Sequence, residues 1–159
     1  MATEMGEYIV GAYLRLVLEC DVVDYNARSP GGGITGLNEL DVIGFSFGKQ
    51  TAFLCEVTTH LYGLRGRQPI NRLRRKHKWQ RDFANRYLSN FKRHHFMFWS
   101  PVVRRGLIPK LEKVGFDKLF INKEYKDAVD QLRAKAHESR ADANNPAFRL
   151  LQILERVGD

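Results

Sequence analysis

The stretch from Leu37 to His60, LNELDVIGFSFGKQTAFLCEVTTH, constrains the fold more than any other. It reads as two strands joined by a tight turn. Gly48-Lys49 suits a two-residue type II′ turn, with glycine first, where φ must be positive. Phe47 then faces Gln50, and stepping outward sets Asp41 opposite Glu56 and Glu39 opposite Thr58. Alternation along each strand puts Glu39, Asp41, Glu56 and Thr58 on one face of the ribbon, together with Ile43, Phe45, Ala52 and Leu54. Carboxylates therefore share a face with core residues, at the end far from the turn.

Like charges directly opposite each other destabilise a strand pair, and apolar neighbours strip them of water. Three environments relieve this. A hard divalent cation is one, since Mg²⁺ is typically held by one or two carboxylates plus waters and substrate phosphates. An Arg or Lys partner is another, and open water at the edge of the ribbon is the third.

The run Asn38-Glu39-Leu40-Asp41-Val42-Ile43, then a hairpin, then Phe53-Leu54-Cys55-Glu56-Val57-Thr58, resembles the PD-(D/E)xK nuclease superfamily, the restriction endonuclease-like and Holliday junction resolvase-like proteins. That superfamily carries an Asp at the end of one strand and a D/E-x-K triplet on the next. Here the triplet is Glu56-Val57-Thr58, so Thr58 stands where the superfamily has lysine.

The 159 residues suit one ordinary domain with a real core. No apolar run approaches the roughly 18 residues of a membrane span, and Glu4 and Glu7 come early where a signal segment would be basic and then apolar. Cys20 and Cys55 lack metal-ligand spacing and read as two buried, reduced thiols of a cytoplasmic protein, Cys55 on the ribbon face opposite Glu56. The net charge of +8 is unevenly spread. Residues 1–58 hold eight acids against three Lys/Arg, whereas residues 59–110 hold fourteen Lys/Arg against one acid, Asp82. That split fits a polyanion-binding flank beside an acidic site.

In chain order, residues 3–19 read as a helix capped by Thr3, with Met5, Ile9, Ala12 and Leu16 on its apolar stripe. Glu7 lies on this helix as either a dipole-favouring surface acid or, by the resemblance, a site acid. Residues 21–27 read as a first strand, and residues 29–33 as a glycine-bearing loop able to line a substrate groove. After the hairpin, Pro69 suits the first position of a helix running from about Ile70 to Asn90. Its stripe holds Leu73, Phe83, Ala84, Tyr87 and Leu88, with Lys76 and Gln80 on the same side. A buried ammonium needs a partner, and Asp41 and Glu56 would supply one. Residues 94–100 and 118–121 read as strands, with a short helix at 107–113 between them. Helices follow at 123–138 and at 146–157, the last started by Asn145-Pro146.

The expected fold is α/β, a restriction endonuclease-like α-β-β-β-α-β core over about residues 4–121 with a mixed sheet flanked by helices. Residues 122–159 are expected to add C-terminal helical decoration. The resemblance implies a metal-dependent nuclease, more often on DNA, with Mg²⁺ (or Mn²⁺ in its place) held by Asp41, Glu56, the Val57 carbonyl and Glu7. Some members supply the lysine from the helix after the hairpin, which points to Lys76 first and Lys78 as the alternative, with Gln80 accompanying the site. Arg65, Arg67, Arg72, Arg74, Arg75, Lys78 and Arg81 would hold the phosphate backbone. A homodimer is a further expectation, because many duplex-cutting members pair. The alternative is a nuclease-fold protein that binds DNA or RNA without cutting it.

Overall fold

Two apolar runs that alternate with period two become the central pair of a sheet, and the helical stripes cover both of its faces. The structure, a computed structural model, describes residues 2–30 and 39–158. Helix α1 (Met5–Leu16) is followed by β1 (Val22–Arg28), β2 (Glu39–Ser46) and β3 (Thr51–Val57). Helix α2 (Pro69–Tyr87) leads to β4 (Arg93–Ser100). A 3₁₀ turn (Arg105–Leu107) and α3 (Ile108–Glu112) precede β5 (Lys118–Ile121), after which come α4 (Lys123–Glu138) and α5 (Pro146–Leu154). Among the described residues the sheet is five-stranded, in the order β1-β2-β3-β4-β5. The β1–β2 and β2–β3 pairs are antiparallel; β3–β4 and β4–β5 are parallel. The fold is α/β with a mixed, open sheet.

The period-two pattern sends neighbours on one strand to opposite faces. On β4, Phe98 packs under α2 and α3 with Leu73, Leu111 and Ile121, while Trp99 packs on the other face among α1, α4 and α5. Both are fully buried. Trp99 stacks on Phe120 at 3.8 Å and meets the edge of Tyr13 at 5.1 Å. Tyr125, Leu132 and Phe148 complete this core. Helices α4 and α5, expected as decoration, thus share with α1 one of the sheet's two covers. Asn145 caps α5, its side chain accepting from the Phe148 N–H at 3.0 Å, and its Nδ2 donates to the Tyr8 carbonyl at 2.8 Å, tying α5 to α1. Cys20 and Cys55 are free and buried, Cys55 in the core on the face away from Glu56.

The hairpin has the expected register, Val42 to Cys55 and Phe45 to Ala52, but a different turn. Gly48 is outside the left-handed region; Gln50 holds it instead, at φ 50°, and its N–H is donated to the Phe47 carbonyl at 3.2 Å. The left-handed residue follows the turn rather than opening it, which leaves the pairing of the strands unchanged. The cap of α1 also differs. Glu4, not Thr3, is the N-cap, and Met5 is 50% exposed because the helix buries Gly6, Glu7, Val10 and Leu14. The helix ends at Leu16, ahead of Glu19, whose φ is 59°. In α2, His77 is buried and Tyr87 is exposed, so the stripe is turned slightly from the expected one.

A larger departure sits at the far end of the hairpin. Asn26, inside β1, has φ 53°, and the β1–β2 register passes from Tyr25–Val42 to Ala27–Leu40 without pairing Asn26 with Asp41. Side chains change face there. Tyr25 and Val42 pack on the α1 side, whereas Ala27 and Leu40 pack on the α2 side with Ile43 and Leu54. Glu39 accordingly does not continue the row of Asp41. It is ion-paired with Arg28 at 3.3 Å. The expected loop at residues 29–33 falls largely on positions outside the described residues, as do Leu37 and Asn38.

Candidate functional site

Beyond the last regular β2–β3 pair, Val42–Cys55, the strands no longer run as a plain ladder. The Val57 N–H is donated to Asp41 Oδ2 at 2.8 Å. A side chain has entered the place of a ladder bond, which fixes the Asp41 carboxylate beside Glu56. β3 remains tied to β4, with the Thr58 N–H donated to the Trp99 carbonyl at 2.9 Å. The opening left between β2 and the chain after β3 is a cavity of about 230 Å³. Asp41, Glu56, Val57 and Thr58 line it from the sheet, Glu4 and Glu7 from α1, and Arg72 and Lys76 from α2. Arg65 and His60 line it from the intervening loop.

Each wall has a local cause. The first turn of α1 comes unusually close to the chain after β3, because a Cβ on Gly6 would lie 2.0 Å from Thr59 Cγ2. Glycine at that position lets Glu7 reach the cavity mouth. Glu7 is buried, and its Oε2 accepts the Glu4 N–H at 2.8 Å in the N-terminal turn. On the opposite wall, Pro69 starts α2, and Lys76 follows two turns later on the flank that faces β3. Its ammonium donates to Glu56 Oε1 as a buried ion pair.

Acid outweighs base in the depths of this cavity. Burial pushes the Glu56 carboxyl up to about 8, the Asp41 charge adds to the rise, and Lys76 opposes it. Asp41 is also raised, first by desolvation, against the pull of Lys76 and of the Val57 N–H. Glu7 is raised by desolvation and further by Asp41, while the Glu4 N–H pulls it down. For Lys76, burial favours the neutral amine, but Glu56 and Asp41 together outweigh it and keep the ammonium charged. Three carboxylates facing one ammonium leave a site that holds its protons tightly until a further positive charge arrives.

The sequence-based candidates separate cleanly in space. Glu7, Asp41, Glu56, Val57, Thr58 and Lys76 converge on the cavity, with Arg65 and Arg72 at its basic side. Lys78 does not join them; it lines a groove on the other flank of α2 with Arg74 and Arg81. Arg67 and Arg74 line an adjoining groove against α3. Arg75 is exposed. Gln80 is buried at 1% exposure outside the cavity lining, and neither its Oε1 nor its Nε2 finds a partner. Glu4 and His60 line the cavity without having been singled out. Glu4 carried a legible signal, the Glu-x-x-Glu spacing of an N-terminal capping turn; His60 carried none.

A divalent cation can be tested against these residues. Two neighbouring carboxylates meet the usual protein share of a Mg²⁺ site, and the Thr58 hydroxyl is buried at the cavity with no partner. Among the described residues, no group of three or more His, Cys, Asp or Glu side chains gathers closely enough to hold a metal by itself. The donor set therefore fits an ion that keeps most of its waters and takes ligands from a substrate, not a closed structural site. No helix among the described residues is long and apolar enough to cross a membrane. No family model matches the chain, and no similar protein is found among curated sequences.

Proposed function

We propose that this chain is a metal-dependent phosphodiesterase of nucleic acids, of the PD-(D/E)xK type, acting on DNA. The observation that carries the reading is the Lys76–Glu56 pair beside Asp41. A lysine from α2 lines the same cavity as Thr58, the residue that stands where the resembled superfamily has its motif lysine. The order α1-β1-β2-β3-α2-β4, with β3 parallel to β4, is also the order expected of that superfamily's core.

In this reading Asp41 and Glu56 would hold Mg²⁺, with the Val57 carbonyl as a further ligand, and Glu7 would orient water at the edge of the site. When bound, the ion would lower the pKa of a coordinated water and offset charge on the phosphate. The chain's own residues do the rest. Asp41 is held in place by the Val57 N–H. Lys76 keeps its proton and presents it to a phosphate oxygen as negative charge grows there. Arg65 and Arg72 draw the backbone into the cavity against the repulsion of its acids. Thr58 offers a hydroxyl for a water but no charge.

The competing reading, a binding protein of the same fold without catalysis, draws on Thr58 standing where the resembled superfamily has lysine. Cleavage separates the two. Labelled single-stranded, duplex and branched DNA are incubated with Mg²⁺ or Mn²⁺ and wild type, Asp41→Ala or Glu56→Ala. Cutting that needs the metal and disappears in both variants is the expected result. Tight binding with no cutting under any of these conditions would establish the binding protein instead.

A further inference from the structure

Helix α2 has two basic flanks. One faces the acidic cavity through Arg72 and Lys76. The other faces α3 and the turn after it, where two adjoining grooves of about 450 and 330 Å³ share Arg74. Arg74 and Lys76 are two positions apart, which is roughly 200° around the helix axis. The second flank repeats Arg74, Lys78 and Arg81 at helical spacing, and Lys110 and Lys113 supply the facing wall. Among the described residues, Asp82 is the only acid lining these grooves. Between the flanks runs an exposed crest with Arg75 and Arg86. The grooves meet the cavity at the start of α2, where Pro69 lines both.

From this geometry we infer that α2 lies in the major groove of duplex DNA, with one phosphate backbone at the cavity and the other in the α2–α3 groove. An α-helix with its side chains is about 10–12 Å across, and the B-form major groove, about 12 Å wide, admits one. A helix so seated has a backbone on each side, and α2 offers cations on each side. The crest residues then face the base edges. Double-stranded RNA is excluded as an equal partner, because its major groove is too deep and narrow for side chains to read. The α2–α3 groove binds without reacting, since it lacks the carboxylates of the cavity.

The inference extends the phosphodiesterase reading, but binding in EDTA tests it apart from any cutting. Affinity for a 20-base-pair DNA duplex, its single strand and the matching RNA duplex is measured across a salt series. The combined variant Arg74→Ala, Lys78→Ala, Arg81→Ala should weaken duplex DNA binding at least 30-fold at 150 mM salt. It should lower the slope of log K against log salt by about 2–3, at about 0.9 per lost phosphate contact. Single-strand binding should change less than threefold, and duplex RNA should bind at least tenfold more weakly than duplex DNA. Lys123→Ala, Lys126→Ala, Lys135→Ala on α4 removes equal charge elsewhere and should leave the slope unchanged. Equal losses for single strand and duplex, an unchanged duplex affinity, equal binding of duplex RNA, or the same loss from the α4 control would each overturn the inference. Groove-dependent duplex binding by a protein that never cuts would uphold it while removing the enzyme.

Discussion

Replacing Glu56 by glutamine tests the electrostatics of the cavity without touching its shape. In the folded protein the Glu56 carboxyl is pushed from the ordinary 4.5 up to about 8. Between those values the folded chain holds a proton that the unfolded chain has lost, so wild-type stability must fall as pH rises through that window. At about 1.4 kcal/mol per pKa unit the full shift is worth a ceiling of about 5 kcal/mol. Between pH 5.5 and 9 the loss is at most about 3 kcal/mol by the same linkage, and relaxation of Lys76 and entry of water reduce it. We expect Glu56→Gln to gain about 1–3 kcal/mol on wild type between pH 5.5 and 9. Urea unfolding at several pH values in EDTA measures the difference directly, and titrating groups outside the cavity cancel in the comparison. A constant difference across the range, or a wild type that gains on the variant as pH rises, would refute the argument that Glu56 is buried against excess negative charge.

The remaining expectations follow from single contacts. At pH 8, 10 mM Mg²⁺ should stabilise wild type by about 1.4 kcal/mol if its dissociation constant is about 1 mM, and should do nothing for Glu56→Gln; thermal unfolding with and without the ion decides. Gly6→Ala drives a Cβ to 2.0 Å from Thr59 Cγ2, so the Thr59 side chain must turn away or α1 must move off the chain after β3. A cost of about 1–3 kcal/mol should appear in urea unfolding, with cleavage falling further than the lost stability explains. Leu132→Ala empties a fully buried position in α4 and should cost about 2–5 kcal/mol in the same assay. A loss under 0.5 kcal/mol would mean that α4 is an appendage after all.

The hairpin and its register were legible because strand pairing has a strict period of two, so a turn located within a residue fixes every facing pair. Lys76 was legible for a related reason: its place on the stripe of Leu73 and Phe83 aimed it at the sheet. The turn was misread because Gly48 looked like the obvious left-handed residue, whereas Gln50 takes that conformation. Asn26 hid in the same way. A left-handed residue within a strand interrupts the alternation, and nothing in Asp24-Tyr25-Asn26-Ala27 announces it beyond the tolerance of asparagine for that region. That break turned Leu40 to the α2 side and left Glu39 paired with Arg28. Helices α4 and α5 were legible as helices but not as core. Their stripes show only that each must be covered by something, and the partner, Trp99 with Phe120, lies at long range.

The most direct measurement is relaxation of supercoiled plasmid DNA by wild type, Lys76→Met and Lys78→Met, each with Mg²⁺ and with EDTA. The expected result is Mg²⁺-dependent strand breakage by wild type, absent in EDTA. It should be slowed at least 100-fold by Lys76→Met, and Lys78→Met should lose binding more than rate. Breakage that survives EDTA, or that proceeds in Lys76→Met at the wild-type rate, would contradict it.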